Sequence, residues 1–290
     1  MERCYCQGQR WLLLGFLLML YSSRALAALE TAEHNIEHGY ALLLQAQSVS
    51  SGTQRENLLQ EAIDAFKQGY QHVGQTAQVQ ALLGAAQGYL LMQTPRRHFP
   101  FLWQAPPLQR AEKSLQHALV LQPHNAAAAL LLGLVYWRQA IAVTPPPQDT
   151  LAQSQTYLER AAAAGIPVRS VTGDTPRTQG LPLPLRAHDR LIIVRALDAR
   201  GTGRQEDVLL VYQPVAGGEG CFGVVVAAGI AYPLVADPAT GAMVVAPTIA
   251  ALTVVPQPAA PPVITVRTPP YTQPIVTRFV WEHGRFMPVL

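Results

Sequence analysis

Ala111-Glu112-Lys113-Ser114-Leu115-Gln116-His117-Ala118, continued by Pro123 and then by Leu132-Gly133-Leu134-Val135-Tyr136, decides the fold. Ala111, Leu115 and Ala118 are spaced as neighbours on one helical face, a large apolar side chain between two small ones. The same order stands at Ala62, Phe66 and Gly69, within Glu61-Ala62-Ile63-Asp64-Ala65-Phe66-Lys67-Gln68-Gly69. Each pattern is followed by a Leu-Gly pair, Leu83-Gly84 and Leu132-Gly133. Ala62 to Gly84 is 22 residues, and Ala111 to Gly133 is again 22. An equal offset between the same two patterns marks an internal repeat. The small residues let two helix backbones approach, and the large residue one turn away fills the space beside the crossing.

Working outward, helical spacing runs through six blocks, 29–48, 55–72, 76–92, 107–121, 125–142 and 148–164, each bounded by Pro, Gly, Ser or Asn. Ala111, Leu115, Ala118, Pro123, Leu132, Gly133 and Tyr136 together resemble the tetratricopeptide repeat signature. A weaker third junction lies at Ser154, Leu158, Ala161 and Pro167. The resemblance covers about 29–167 and implies an α-solenoid of three helix pairs with a concave partner-binding face. On that face it places Tyr89, Trp137 and Arg138, with Gln78 nearby; Trp137 also fits the core.

The spacing departs from the family in one respect. Gly84 to Ala111 is 27 residues and Gly133 to Ser154 is 21, both longer than in a standard repeat. The extra residues fall between the two helices of a pair, so they project from one rim of the stack, where such proteins often bind. The first insertion, Thr94-Pro95-Arg96-Arg97-His98-Phe99-Pro100-Phe101-Leu102-Trp103, is aromatic and basic, and Phe101 and Trp103 are its candidate anchors. It also suits a loop folded back over an apolar groove. The second is Thr144-Pro145-Pro146-Pro147.

Residues 1–27 have the three parts of a secretory signal: Arg3 and Arg10, an apolar core from Trp11 to Tyr21, and Ala25-Leu26-Ala27 as a cleavage site. The core is 11 residues long, about half the length that crosses a bilayer. No later segment is long, apolar and free of breakers at once, so no membrane span is expected after cleavage. Arg24 beside the cut would also suit a retained anchor. The leader holds three arginines and one glutamate, so its removal takes the net charge from +3 to +1. A near-neutral chain with 13% charged and 49% apolar residues is neither a solvated disordered chain nor a nucleic-acid binder. Of three cysteines only Cys221 lies beyond the leader, which leaves no internal disulfide.

Beyond the helices, 168–186 is proline-rich and aperiodic, an extended connector. After it come short β-branched runs at 191–196, 208–212, 222–226 and 263–266. Residues 276–289 alternate on either side of His283-Gly284, as in a hairpin. The proline-rich stretch 255–270 is expected to be a structureless excursion within this part. The fold class is therefore α + β in separate domains: helical pairs over 28–167 and a small, mostly antiparallel β domain over 187–290.

Four patterns invite chemistry. His34-Asn35-Ile36-Glu37-His38 matches H-x-x-E-H, in which two histidines on one helical face hold zinc and the glutamate serves as base. It sits inside the first helix of the array, where a solvated face accounts for it. Gly218-Glu219-Gly220-Cys221-Phe222-Gly223 matches a dinucleotide fingerprint, but a strand run follows where the motif requires a helix. Asp198-Ala199-Arg200-Gly201-Thr202-Gly203 has the outline of a calcium loop with Arg200 at a ligand position. The remaining histidines share no spacing with a Ser or Cys nucleophile. The expectation is an exported, periplasmic or secreted, non-enzymatic scaffold that binds a protein or peptide, without metal or cofactor. A small-ligand carrier using the helical groove and a zinc hydrolase through His34, Glu37 and His38 are its alternatives.

Overall fold

The computed structural model describes residues 30–47, 49, 52–71, 74–92, 106–166, 190–202, 204–213, 222–237, 242–243, 251–257, 260–268, 275–282 and 285–289. The leader, the 94–103 insertion with Phe101 and Trp103, Cys221 and the 168–186 connector lie outside them. The N-terminal part is helical: α1 (30–47), α2 (Thr53–Tyr70), α3 (Gln75–Met92), α4 (Pro106–Leu121), α5 (Ala126–Ile141) and α6 (Gln148–Ala163).

The small-large-small triplets are the stripes these helices bury. Ala62 and Phe66 of α2, Ala111, Leu115 and Ala118 of α4, and Ser154, Leu158 and Ala161 of α6 are all buried. The glycines mark the crossings between neighbouring helices. Phe66 lies between Gly39 of α1 and Gly84 of α3; a Cβ on Gly39 would stand 2.8 Å from its ring, and one on Gly84 would overlap it. Tyr40 meets the same ring edge-on at 5.0 Å. At Gly133 of α5 a Cβ would stand 2.8 Å from Leu158, and Ser154 Oγ donates to the Gly133 carbonyl at 2.9 Å. Such close approach makes dispersion contacts dense. Asn125, itself buried, starts α5 by accepting from the Ala128 N–H at 2.9 Å, which satisfies one of the orphan donors of the first turn. Helices α3 and α5 are buried on most of their faces, whereas α2, α4 and α6 show solvent a polar side.

The C-terminal part is antiparallel β. Strands β1 (Arg190–Leu197), β2 (Asp207–Gln213), β3 (Phe222–Ala227) and β4 (Ile230–Pro233) form one sheet in chain order. Strands β5 (Val235–Asp237) and β6 (Ala242–Met243) pair with each other. Strands β7 (Ala251–Gln257), β8 (Ala260–Thr268), β9 (Ile275–Glu282) and β10 (Arg285–Val289) form a second four-stranded sheet, in the order β10-β9-β8-β7. Glu282 pairs with Arg285 across the two-residue His283-Gly284 connection. The 255–270 stretch is not a structureless excursion: β7 and β8 take up most of it as a hairpin. Those of its prolines that fall within the described residues stand where a sheet tolerates a missing N–H. Pro256 lies in edge strand β7 at the register shift between Val255 and Gln257, and Pro261 and Pro262 lie near the start of β8.

The two parts share one buried seam. Strand β1 is an edge strand, so one row of its backbone groups faces away from β2 and needs partners. Helix α3 supplies them from two glutamines seven residues apart. Gln87 Nε2 donates to the Val194 carbonyl at 2.6 Å, and Gln87 Oε1 accepts from the Val194 N–H at 2.8 Å. Gln80 Nε2 donates to the Ala196 carbonyl. Both glutamines are buried, and their amides take the place of a neighbouring strand. Gln87→Leu keeps the volume and strands both Val194 groups. The expected loss is about 2 kcal/mol in urea unfolding; a loss under about 0.5 kcal/mol would show that the seam does not depend on this pairing.

Candidate functional site

Of the residues expected to contact a partner, the structure describes three. Tyr89 is a core residue, 7% exposed, because α2, α4, α5 and the first sheet surround α3; the Arg110 guanidinium lies 5.9 Å from its ring centroid. That burial corrects its expected place on an open concave face. Arg138 holds α3 against α5: its Nη1 donates to the Leu90 carbonyl at 2.6 Å, in the last turn of α3. Trp137 is 36% exposed. Ile141, one turn further along α5, is 52% exposed, and Val143 just beyond it is 50% exposed. Trp137 and Ile141, four apart on one face, form an apolar ridge, and Val143 lies beyond the end of α5, before the exposed Thr144–Pro147 turn. An exposed tryptophan with apolar neighbours is the composition of an interface anchor.

A second feature lies where α1 meets the seam. A cleft of about 470 Å³ opens between α1, α3, β1 and the β7–β8 hairpin. Glu30, Glu33, His34 and Glu37 reach it from α1, Gln80 from α3, and Arg195 from β1. Ile36, Leu197, Val254 and Pro262 give it a buried apolar wall. Arg195 is only 8% exposed, a charge that burial tolerates only when paired. Glu37 is the partner: Oε2 accepts from Arg195 Nη1 at 2.9 Å, and Oε1 accepts from Nη2. The guanidinium also stacks on the Tyr40 ring, 4.8 Å from its centroid. Burial by itself would lower the Arg195 pKa, but the Glu37 charge and hydrogen bonds hold it above its ordinary value. Burial raises the Tyr40 hydroxyl well above its ordinary value; Arg195 opposes the shift and Glu37 adds to it. The hydroxyl donates to Gln80 Oε1 at 3.4 Å, which links the ion pair to the glutamines of the seam.

This geometry gives the H-x-x-E-H residues different tasks. Glu37, the candidate zinc-site base, is the clamp on Arg195. His34 and His38 are exposed, with parallel rings 6.5 Å apart. Among the described residues no three His, Cys, Asp or Glu side chains are grouped as metal ligands. Strand β3 follows the glycine-rich stretch and pairs antiparallel with β2, so no helix stands where a dinucleotide fingerprint needs one.

The Asp198 turn carries its own cation. Asp198 Oδ1 accepts from the Thr202 N–H at 2.7 Å and from its hydroxyl at 3.0 Å, while Arg200 reaches Asp207, 1% exposed, at 3.1 Å. Burial raises the Asp207 carboxyl above its ordinary value, with Arg200 pulling it back. A carboxyl with a raised folded-state pKa contributes stability when protonated and loses it as pH rises through that pKa. Arg200→Met raises it further. The expected cost is about 2 kcal/mol near neutral pH, shrinking toward about pH 4. An equal loss at both pH values in urea titrations would contradict the pairing.

Sequence reasoning passed over Arg195, Gln80 and Gln87. The signals are a lone charge inside Leu191-Ile192-Ile193-Val194-Arg195-Ala196, and two of the four α3 glutamines seven apart on one helical face. Fold and surfaces together define a helical array docked on antiparallel sheets, with an apolar ridge on one helix and an acidic cleft at the seam. The chain matches no known family model, no curated protein and no solved structure.

Proposed function

We propose that the protein is an exported, non-enzymatic scaffold that binds a protein or peptide partner in the cell envelope through its helical array. Paired helices of the tetratricopeptide kind, with insertions on one rim, are its architecture in this proposal. The observation that carries it is the Trp137–Ile141 ridge, part-exposed apolar surface on a helix that is otherwise deeply buried. Such anchors bind by desolvation, so affinity should change little with salt. Arg138 is then a positioning residue that keeps α5 against α3. Phe101 and Trp103 of the 94–103 insertion are further partner-contact candidates in this proposal.

A photo-crosslinking side chain at position 141, in protein expressed with its leader, tests the proposal. The expected result is one discrete protein adduct in the envelope fraction that disappears with Trp137→Ala and is absent when the probe sits at exposed position 160. Equal labelling from 141 and 160, or adducts unaffected by Trp137→Ala, would count against it. The same purified protein should begin at residue 28 by mass spectrometry; an intact leader would turn the exported form into an anchored one.

A further inference from the structure

We infer that His34 and His38 form a two-nitrogen chelate for copper(II) on the exposed face of α1. They stand four apart on the helix, hence one turn from each other on the same side. Their rings are parallel, with centroids 6.5 Å apart, and both side chains are exposed. Two imidazoles at this spacing on a helix hold a transition metal through one nitrogen each. With metal–nitrogen bonds of about 2 Å, neighbouring ligands of one ion lie roughly 3 Å apart. Exposed imidazoles converge that far by rotating about their side-chain bonds, while the backbone stays in place. The turn that carries them is already fixed: Ile36 and Tyr40 are buried on its other side, and Glu37 is tied to Arg195. Binding therefore orders only the two side chains.

The donors select the ion. Calcium and magnesium prefer oxygen ligands. Neutral imidazole suits copper, nickel and zinc, and copper(II) binds a given set of nitrogen ligands most tightly among the divalent ions of the first transition row. Structural zinc takes four protein ligands and catalytic zinc three, whereas among the described residues no three His, Cys, Asp or Glu side chains are grouped. A tetragonal copper(II) accepts two nitrogens and keeps water at its other positions. Glu37, between the histidines in sequence, is bound to Arg195 and neither ligates the ion nor serves as a base. The site thus binds metal without the hydrolytic chemistry of an H-x-x-E-H motif. Glu30 and Glu33, exposed on the same end of α1, add a negative field that favours a cation. The pair shares no residue with the α5 ridge, so either reading can fail alone.

Titration of the untagged full chain with copper(II) chloride, followed by electron paramagnetic resonance, tests it. The reference is the double variant His34→Gln with His38→Gln, which keeps every other thiol, imidazole and amine of the chain. The unsubstituted chain is expected to bind one further equivalent of copper, with superhyperfine structure from two nitrogens. His34→Gln or His38→Gln alone should weaken that site at least about tenfold, as much as the loss of an outer-shell partner costs. Both residues are exposed, so the metal-free variants should melt with the unsubstituted chain. Zinc(II) should bind the site at least about tenfold more weakly than copper(II). Equal copper uptake by the chain and its double variant would overturn the inference, and so would a signal carrying one nitrogen only. Equal affinity for zinc would overturn the assignment to copper.

Discussion

Gly84→Ala is expected to destabilise the protein by about 3 kcal/mol, the upper range for overpacking a tight core. In an exposed helix the same change would stabilise by roughly 1 kcal/mol. The sign reverses here because a Cβ at position 84 falls on the Phe66 ring. A flexible side chain could swing aside, but Phe66 is fully buried, and Gly39 of α1 packs so close to the ring that a Cβ there would also stand 2.8 Å from it. The ring has no free direction. Urea unfolding followed by far-ultraviolet circular dichroism measures the loss. Phe66→Leu in the Gly84→Ala background should recover more than half of the coupling in a double-mutant cycle. Additive losses would mean that the helices do not meet at this point.

Glu37→Ala is expected to cost about 3 kcal/mol, near the lower end for breaking a buried ion pair because Glu37 is itself partly exposed. The loss comes from what remains: a guanidinium 8% exposed, stacked on Tyr40, with no carboxylate across from it. Arg195→Met removes the buried charge and keeps an apolar stem beside Tyr40, so it should cost less than half as much. The double variant should resemble Arg195→Met alone. If Arg195→Met proves the more damaging of the two, the pair contributes attraction beyond the desolvation it requires, and the assignment of the penalty to the stranded arginine is wrong.

The helices were legible from local spacing. Blocks expected at 76–92, 107–121 and 148–164 are α3 at Gln75–Met92, α4 at Pro106–Leu121 and α6 at Gln148–Ala163. The small-large-small triplets worked because each buried stripe recurs on a helical period and needs no knowledge of the distant chain. The His283-Gly284 hairpin was legible for the same reason. The proline-rich hairpin was not, since proline is excluded from a central strand but accepted at an edge or a register shift, and periodicity does not say which strand is the edge. The seam was hidden more deeply. Gln80 and Gln87 bond to residues more than a hundred positions away, and nothing local distinguishes an amide turned to solvent from one that completes a sheet. Tyr89 misled for a related reason: a repeat signature places it on an open groove, but here it is 7% exposed, with Arg110 of α4 against its ring. The cleft combines α1 residues read as a possible metal motif with an arginine read as part of a strand, so neither stretch alone outlined it.

The central structural claim is that α3 joins the helical array and the first sheet into one cooperative unit, and native-state amide hydrogen exchange tests it most directly. The Val194 N–H points out of the sheet at Gln87, so its protection reports the seam alone. The expected result is that Val194 exchanges with the same opening free energy as the central amides of α3, and that Gln87→Leu lowers both together. Rapid exchange at Val194 beside a fully protected α3 would contradict the account, because the sheet would then open independently of the helices.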